Sequence, residues 1–344
     1  MPAPSNESRS TSQRPLVSVV VPTRDRPVSL STCLTALAAQ TVSDDLEVIV
    51  VDDGSTEAAA IVAATREHGF VRLIRLHHGG PAAARNAGVR SARGTCICFT
   101  DDDCEPAAGW AEALARAIGA GADAAAGRTL SANPGRAIAA AAEIVAEAPE
   151  LASVSSNGGL SFAPTNNLGC RADVLAAVPF DERFPAAAGE DRDWCARLAA
   201  AGFVLRAVPG AELVHRPNET LRAFLRQQVR YGRGAYRFRT SGARRRLEPP
   251  SFYARLIRRG FGRGAAAGVL VCVAQVATAI GYISESRASR APTPKMSANP
   301  LGDGGQAGEM VDDMKGQRSR GKRRPAPAQE HSIERMVEND DQGQ

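Results

Sequence analysis

The sequence predicts an α/β protein with a mostly parallel sheet flanked by helices on both faces. Short apolar, β-branched runs alternate with helix-patterned stretches from the first core residue to about residue 120, the spacing of βα units. Polar clusters close three of those runs, and ligands of open parallel sheets bind outside the carboxyl ends of the strands. No Gly-x-Gly-x-x-Gly follows the first run, which argues against a dinucleotide site.

Residues 16–21 (LVSVVV) read as a buried strand stopped by Pro22. Pro27, followed by Leu30, Leu34, Leu37 and Ala38, predicts a helix with proline in its first turn. Residues 46–51 (LEVIVV) form a second strand closed by Asp52-Asp53-Gly54-Ser55, and the Ala-rich 56–67 a helix. A strand at 71–76, a short helix at 81–90 and a fourth strand at 95–100 (TCICFT) follow. The triplet Asp101-Asp102-Asp103 comes next, then a helix at 110–119.

The second half is less regular. Residues 155–167, rich in Ser, Asn and Gly, read as a loop, 173–178 as a short helix and 192–201 as a helix with Trp194, Leu198 and Ala201 at core spacing. Strands are expected at 203–208 and 211–215, and a basic helix at 220–239. This divides the chain into a polar, disordered lead-in at 1–14, a main domain at 15–220, a basic helical extension at 221–263, an apolar helix at 264–283 and a disordered polar tail at 284–344. Residues 264–283 hold no charge and have about the length that spans a bilayer, but much of that length is Ala and Gly, so a buried or interfacial helix competes with a span. Arg255, Arg258, Arg259 and Arg263 precede it, which would keep the main domain in the cytoplasm, at the inner face of the membrane.

With 344 residues, 44% hydrophobic and 23% charged, the chain can bury a sizeable core. The positive excess gathers at 222–263 and 315–324, which suits an anionic membrane surface or nucleic acid. Four Tyr and ten Phe supply a base-stacking platform poorly, so no nucleic-acid partner is expected. Seven scattered cysteines without a CxxC pair indicate neither a zinc ribbon nor a disulfide framework, and Cys96 and Cys98 read as buried thiols on one strand face. The polar first fourteen residues lack the apolar stretch of a secretory signal.

Three consecutive carboxylates at a strand end need an offsetting positive charge, which a divalent cation carried by a diphosphate supplies. A solvated acidic turn or a helix cap is the competing reading of the triplet. Gly189-Glu190-Asp191 precedes a helix, where capping competes with a general-base role, and Arg197 can pair with Asp193 one turn earlier. His215 reads as a core or surface residue, or as a metal or phosphate ligand.

Taken in order, seven segments resemble the family 2 glycosyltransferases of the GT-A fold: VSVVVPTRDRP (17–27), VIVVDDGSTE (48–57), GGPAAARNAGVRSARG (79–94), CFTDDDCEP (98–106), NNLGCRADVL (166–175), FDERFPAAAGEDRDWCARLAAAG (180–202) and VHRP (214–217). They cover roughly residues 15–220. The resemblance implies an inverting, metal-dependent transfer from a nucleoside-diphosphate sugar, UDP-linked by default, to a hydroxyl of a lipid-linked or surface glycan acceptor. It places Pro22, Thr23 and Asp53, with Asp52 nearby, at the nucleoside, and Arg85 and Asn86 at the nucleotide side of the pocket. Asp101 and Asp103 match the ends of the DxD motif, Asp103 as the direct ligand of Mn²⁺ or Mg²⁺, with Asp102 shaping the turn. Asp191 matches the catalytic base, Glu190 places acceptor or donor, and Arg197 and His215 sit near the diphosphate or metal. The Gln-x-x-Arg-Trp signature of processive synthases is missing, which points to addition of one sugar.

Two other classes were weighed. A nucleotidyltransferase would carry a Gly-rich phosphate loop directly after the first strand, where Pro22-Thr23-Arg24 stands. A non-catalytic protein would use the basic helix and tail on lipid or nucleic acid without needing two acidic clusters.

Overall fold

The structure, a computed structural model, describes residues 17–146, 159–217, 220–242 and 248–290, all within one compact unit. Expectations for residues 1–14, for 155–158 of the loop and for the tail from 291 onward lie outside the described residues.

Eight strands form one sheet in the order β3-β2-β1-β4-β7-β6-β8-β5. They are β1 (Val17–Thr23), β2 (Leu46–Asp52), β3 (Val71–Arg75), β4 (Cys96–Phe99), β5 (Cys104–Pro106), β6 (Ala124–Ser131), β7 (Leu168–Arg171) and β8 (Leu205–His215). Strand β1 pairs in parallel with β2 and β4, β2 with β3, and β6 with β8; β7 runs antiparallel to β4 and β6, and β5 antiparallel to β8. The expected mostly parallel α/β sheet is present, with a mixed half beyond β4.

The period-2 alternation of strand side chains splits the core into two layers. Val20, Ile49, Val51, Ile97 and Phe99 face one way, toward Trp194 and Leu198 of helix α7 (Glu190–Ala200). Val17, Val19, Val21, Val48 and Val50 face the other, toward Leu30, Leu34 and Leu37 of α1 (Pro27–Ala38) and Ile61 of α2 (Ala58–Arg66). Trp110 and Leu114 of α4 (Trp110–Gly119) complete that second layer. Each such side chain stabilises the fold by about 1.5–3 kcal/mol when fully buried. Strands buried on both faces read as continuous apolar runs, which is why β1, β2 and β4 stood out. Cys96 and Cys98 do share a face, their Sγ atoms 3.8 Å apart, and no disulfide forms among the described cysteines.

Helix α3 (Pro81–Ser91) covers the first layer, with Ala82, Ala84 and Ala87 packed against it. Gly88 lies over Val20, so closely that a Cβ there would overlap the valine methyls. Helices α5 (Ala137–Ala146) and α6 (Ala172–Ala177) flank the second half. The two strands expected at 203–208 and 211–215 are one strand, β8, whose register against β6 shifts where Pro209-Gly210 interrupts the pattern.

Past the sheet come α8 (Leu221–Thr240), α9 (Pro250–Gly262) and α10 (Ala265–Ala288). Thr220 caps α8, its side chain accepting from the Ala223 N–H at 3.2 Å. Phe224 of α8, Phe252 and Leu256 of α9, and Val271 and Ala274 of α10 form a third core with Ile144 of α5. Helix α10 continues five residues past the expected boundary at 283 and is long and apolar enough to cross a membrane. One of its faces is packed on protein: Gly281 lies against the Val229 carbonyl of α8, and Gly232 of α8 against the Thr278 carbonyl, with no room for a Cβ at either.

Candidate active site

The carboxyl ends of β1, β2 and β4 lie side by side, so their polar clusters share one rim. Thr23 of β1 donates its hydroxyl to Asp102 Oδ2 at 2.7 Å, tying the end of β1 to the acidic turn after β4. Arg26, at the entry to α1, adds a counter-charge: its Nη1 lies 3.1 Å from Asp102 Oδ1 and 2.8 Å from Asp103 Oδ2. Asp102 is the most buried of the three, and burial pushes its carboxyl up to about 6 despite Arg26. It fastens the turn, which leaves Asp101 and Asp103 more open at the rim.

The sheet itself delivers His215. Strand β5 begins directly after the triplet and runs antiparallel to β8, which sets Cys104 opposite His215. The Arg216 N–H bonds the Asp103 carbonyl at 2.8 Å, and His215 Nε2 lies 3.3 Å from Asp103 Oδ1. Burial disfavours charge on both side chains, yet the bond between them holds the Asp103 carboxyl below its ordinary value and the imidazole above its own. Ligand atoms of Asp103, Cys104 and His215 fall within 4.8 Å of one another. A carboxylate oxygen beside an imidazole nitrogen suits a divalent first-row cation. The buried Cys104 thiol, pushed well above its usual range, stays protonated and makes a poor third donor.

The second acidic cluster is joined to the first by Arg85 of α3. Its Nη2 lies 3.1 Å from Asp101 Oδ1 and its Nη1 3.1 Å from Glu190 Oε1. The other Glu190 oxygen accepts from the Ala188 N–H at 2.8 Å, closing the turn into α7. Gly189, the cap of that helix, has φ +95°, and a Cβ there would come within 2.8 Å of the Gly234 carbonyl of α8. Asp191 follows, half-buried, with Oδ1 accepting its neighbour's N–H at 2.8 Å. Burial first, and then the Glu190 carboxylate, push the Asp191 carboxyl up to about 7, against the pull of Arg85. Burial, and then the Asp191 charge, push the Tyr231 hydroxyl of α8 up to about 12.

Other expected site residues find their partners in the protein. Asp53 accepts from Gly79 N at 2.7 Å, Gly80 N at 3.0 Å and the His78 ring at 2.8 Å, all in the loop before α3. Asp52 is fully buried and bonds Ser55 N at 2.8 Å and Arg75 Nε at 3.1 Å. Pro22 and Thr23 close β1 beside them. Asn86 ties α3 to the segment before α7: Nδ2 donates to Phe180 O and Glu182 Oε1, each at 2.9 Å, and Oδ1 accepts from Phe180 N at 3.0 Å. Arg197 reaches Asp193 and the Pro179 carbonyl, both at 2.7 Å. Motif matching found these two positions but could not show which way their side chains turn. Sequence reasoning missed Arg26 and His78; the demand of three carboxylates for a counter-charge is the signal that could have found Arg26.

Residues 18–175 match the family described as glycosyl transferase family 2, and residues 140–294 match glycosyl transferase family group 2. The glycosyltransferase AglE of Haloferax volcanii is 31% identical over 230 residues, 65% of this chain and 74% of that one. The chain is a family 2 glycosyltransferase. The enzyme is also 33% identical over 232 residues to the pre-mycofactocin glycosyltransferase of Mycobacterium tuberculosis, covering 64% of itself but only 46% of that protein. Its fold matches a mannosyltransferase of Pyrobaculum calidifontis solved with GDP-Man and Mn²⁺, with TM-score 0.51, 18% identity and coverage of 82% and 78%. The GT-A architecture expected of a family 2 glycosyltransferase is therefore the architecture present.

Proposed function

We propose that this glycosyltransferase moves one sugar, with inversion at the anomeric carbon, from a nucleoside-diphosphate donor to a hydroxyl of a lipid-linked or surface glycan acceptor. The observation that carries the reading is the Arg85 bridge, which brings the triplet and Glu190-Asp191 into one site. One cluster serves the departing diphosphate and the other the incoming hydroxyl.

Asp103 and His215, with Asp101 beside them, would hold a divalent cation, Mn²⁺ or Mg²⁺. Bound there, the cation supplies Lewis-acid stabilisation of the diphosphate charge. Asp191 takes the acceptor hydroxyl proton as that oxygen forms its bond to the anomeric carbon and the bond to the diphosphate breaks. A carboxyl near 7 is matched to that task at neutral pH. Glu190, fixed by Arg85 and the Ala188 N–H, holds the turn that carries Asp191. Pro22, Thr23 and Asp53 form the nucleoside side of the rim.

The enzyme would work in the cytoplasm, against the inner face of the membrane. Val269, Val273, Val276, Ile280 and Ile283 make an exposed apolar stripe along α10, opposite the face packed on protein. A helix packed on one side and apolar on the other suits an interface better than a free span.

The test is a screen of UDP-, GDP- and dTDP-sugars with Mn²⁺, read by melting temperature and by release of nucleoside diphosphate. A donor that both raises the melting temperature and is turned over supports the reading. No response to any of them would count against it.

A further inference from the structure

The basic helix α8 has a pattern that the proposed chemistry leaves unused. Arg222, Arg226, Arg230, Arg233 and Arg237 recur at steps of four, four, three and four residues. At about 100° per residue they fall in a sector of about 80° and mark a stripe about 22 Å long. The helix contains no Asp or Glu. Arg237 pairs with Glu285 at 2.8 Å; among the described residues no carboxylate pairs with the other four. Like charges one turn apart oppose the helix, and a solvated helical face ordinarily intersperses both signs.

The stripe lines a cavity of about 530 Å³ whose far wall is Ala186 and Ala188. That wall runs straight into Gly189-Glu190-Asp191. Helix α8 is pressed against it: a Cβ on Gly234 would overlap the Ala188 carbonyl. The guanidiniums thus line a groove whose opposite wall, Ala186 and Ala188, immediately precedes the turn that carries Glu190 and Asp191.

We infer that this arginine-lined groove is the subsite for a phosphate group of the acceptor. The inference rests on the glycosyl-transfer reading above and adds the chemical class of the acceptor. Arginine's planar fork matches phosphate oxygens, and a phosphate brings up to two negative charges to a site holding four unpaired positive ones. The phosphate belongs either to a lipid carrier or to a soluble glycan.

The test titrates the full chain by calorimetry, with Mn²⁺ and saturating nucleoside diphosphate filling the donor side. The probes are citronellyl phosphate, glycerol 1-phosphate and citronellate. Saturable binding of either phosphate is expected, weakened at least tenfold in Arg226→Ala/Arg230→Ala/Arg233→Ala and within twofold of wild type in Arg66→Ala/Arg206→Ala, which lies outside the groove. The nucleotide-induced melting shift of the triple variant reports whether it folds. If it does not, Arg226→Lys/Arg230→Lys/Arg233→Lys keeps the charge, removes the fork and is expected to weaken phosphate binding severalfold. Preference for citronellyl phosphate assigns a lipid carrier and preference for glycerol 1-phosphate a soluble one; both support the subsite. Three results overturn it: no saturable phosphate binding, equal binding by the variants, or equal binding of citronellate. Failure of the wild type to bind any nucleoside diphosphate would instead remove the glycosyl-transfer reading, and the phosphate titration without nucleotide would still decide the groove.

Discussion

Asp101 and Glu190, far apart in sequence, are held by two nitrogens of a single buried guanidinium, each contact 3.1 Å long, and Arg85 is that link. Removing it leaves Glu190 as a buried carboxylate without its counter-charge, holding only the Ala188 N–H. Arg85→Ala is expected to cost about 3–5 kcal/mol, the range for breaking a buried pair from one side. Arg85→Lys keeps the charge but cannot span both carboxylates, so it should recover stability more fully than transfer. Urea midpoints and turnover of the two variants check this; an unchanged midpoint for Arg85→Ala would show that the bridge does not hold the site.

The cation site gives a second expectation. A nucleoside diphosphate with Mn²⁺ at 100 times its dissociation constant stabilises the folded state by about 2.7 kcal/mol, or roughly 5 °C or less in melting temperature for a domain of this size. Asp103→Ala should remove the metal-dependent part of the shift, and His215→Ala most of it. EDTA should do the same to the wild type. Equal shifts with and without the metal would exclude this donor pair.

Asp191 predicts opposite pH trends for activity and stability. Its carboxyl rises from 3.8 to about 7 on folding, so the folded state binds the extra proton in between. Its favourable contribution to stability is complete below about 4 and fades as pH rises through about 7. The proposed base role needs the ionised form, so kcat/KM should climb over that same interval. Asp191→Asn should flatten both profiles, keep nucleotide binding and lose about 10²–10⁴-fold in turnover. Wild-type turnover in that variant would take the base role away from Asp191.

How much of this was legible in the sequence depends on what each strand touches. Strands β1, β2 and β4 are buried on both faces, so their valines and isoleucines form runs that need no context. Strand β6 (AAAGRTLS) carries alanines, weak strand formers, and is a strand because β7 and β8 pair with it on either side. Strand β5 has only three residues, yet its pairing with β8 is what places His215 at Asp103. The acidic clusters were visible from their places at strand and helix ends. The partners of Asn86 and Arg197 were not, because a motif gives a position and not the direction of a side chain. The basic character of α8 was legible in the sequence; the Ala186–Ala188 wall that makes its arginine face a groove was not.

The apolar stripe of α10 makes membrane contact measurable. Val269, Val273, Val276, Ile280 and Ile283 are 39–61% exposed, while Val271 and Ala274 on the other face are buried. Val276→Glu/Ile280→Glu puts charge where lipid would lie without touching the packed face. The variant should keep the wild-type melting temperature to within about 2 °C, since isolated surface changes seldom exceed 0.5 kcal/mol. It should also lose flotation with phosphatidylglycerol vesicles. Flotation equal to wild type would remove α10 as the contact.

The meeting of α8 with the turn before Asp191 is tight enough to be tested by one methyl group. Gly234 lies on the Ala188 backbone, and Gly189 lies within 2.8 Å of the Gly234 carbonyl if given a Cβ. Backbone cannot yield as a flexible side chain does, so Gly234→Ala must push α8 and the 186–189 turn apart, at about 1–3 kcal/mol. Because that turn leads into Glu190 and Asp191, turnover should fall by more than stability alone explains, while nucleotide affinity, which the proposal assigns to the other side of Arg85, should stay close to wild type. Gly119→Ala is the matched control: its Cβ would meet nothing within 4 Å at the end of α4, and alanine is the better helix former there. Equal turnover in the two variants would mean that α8 does not position the base.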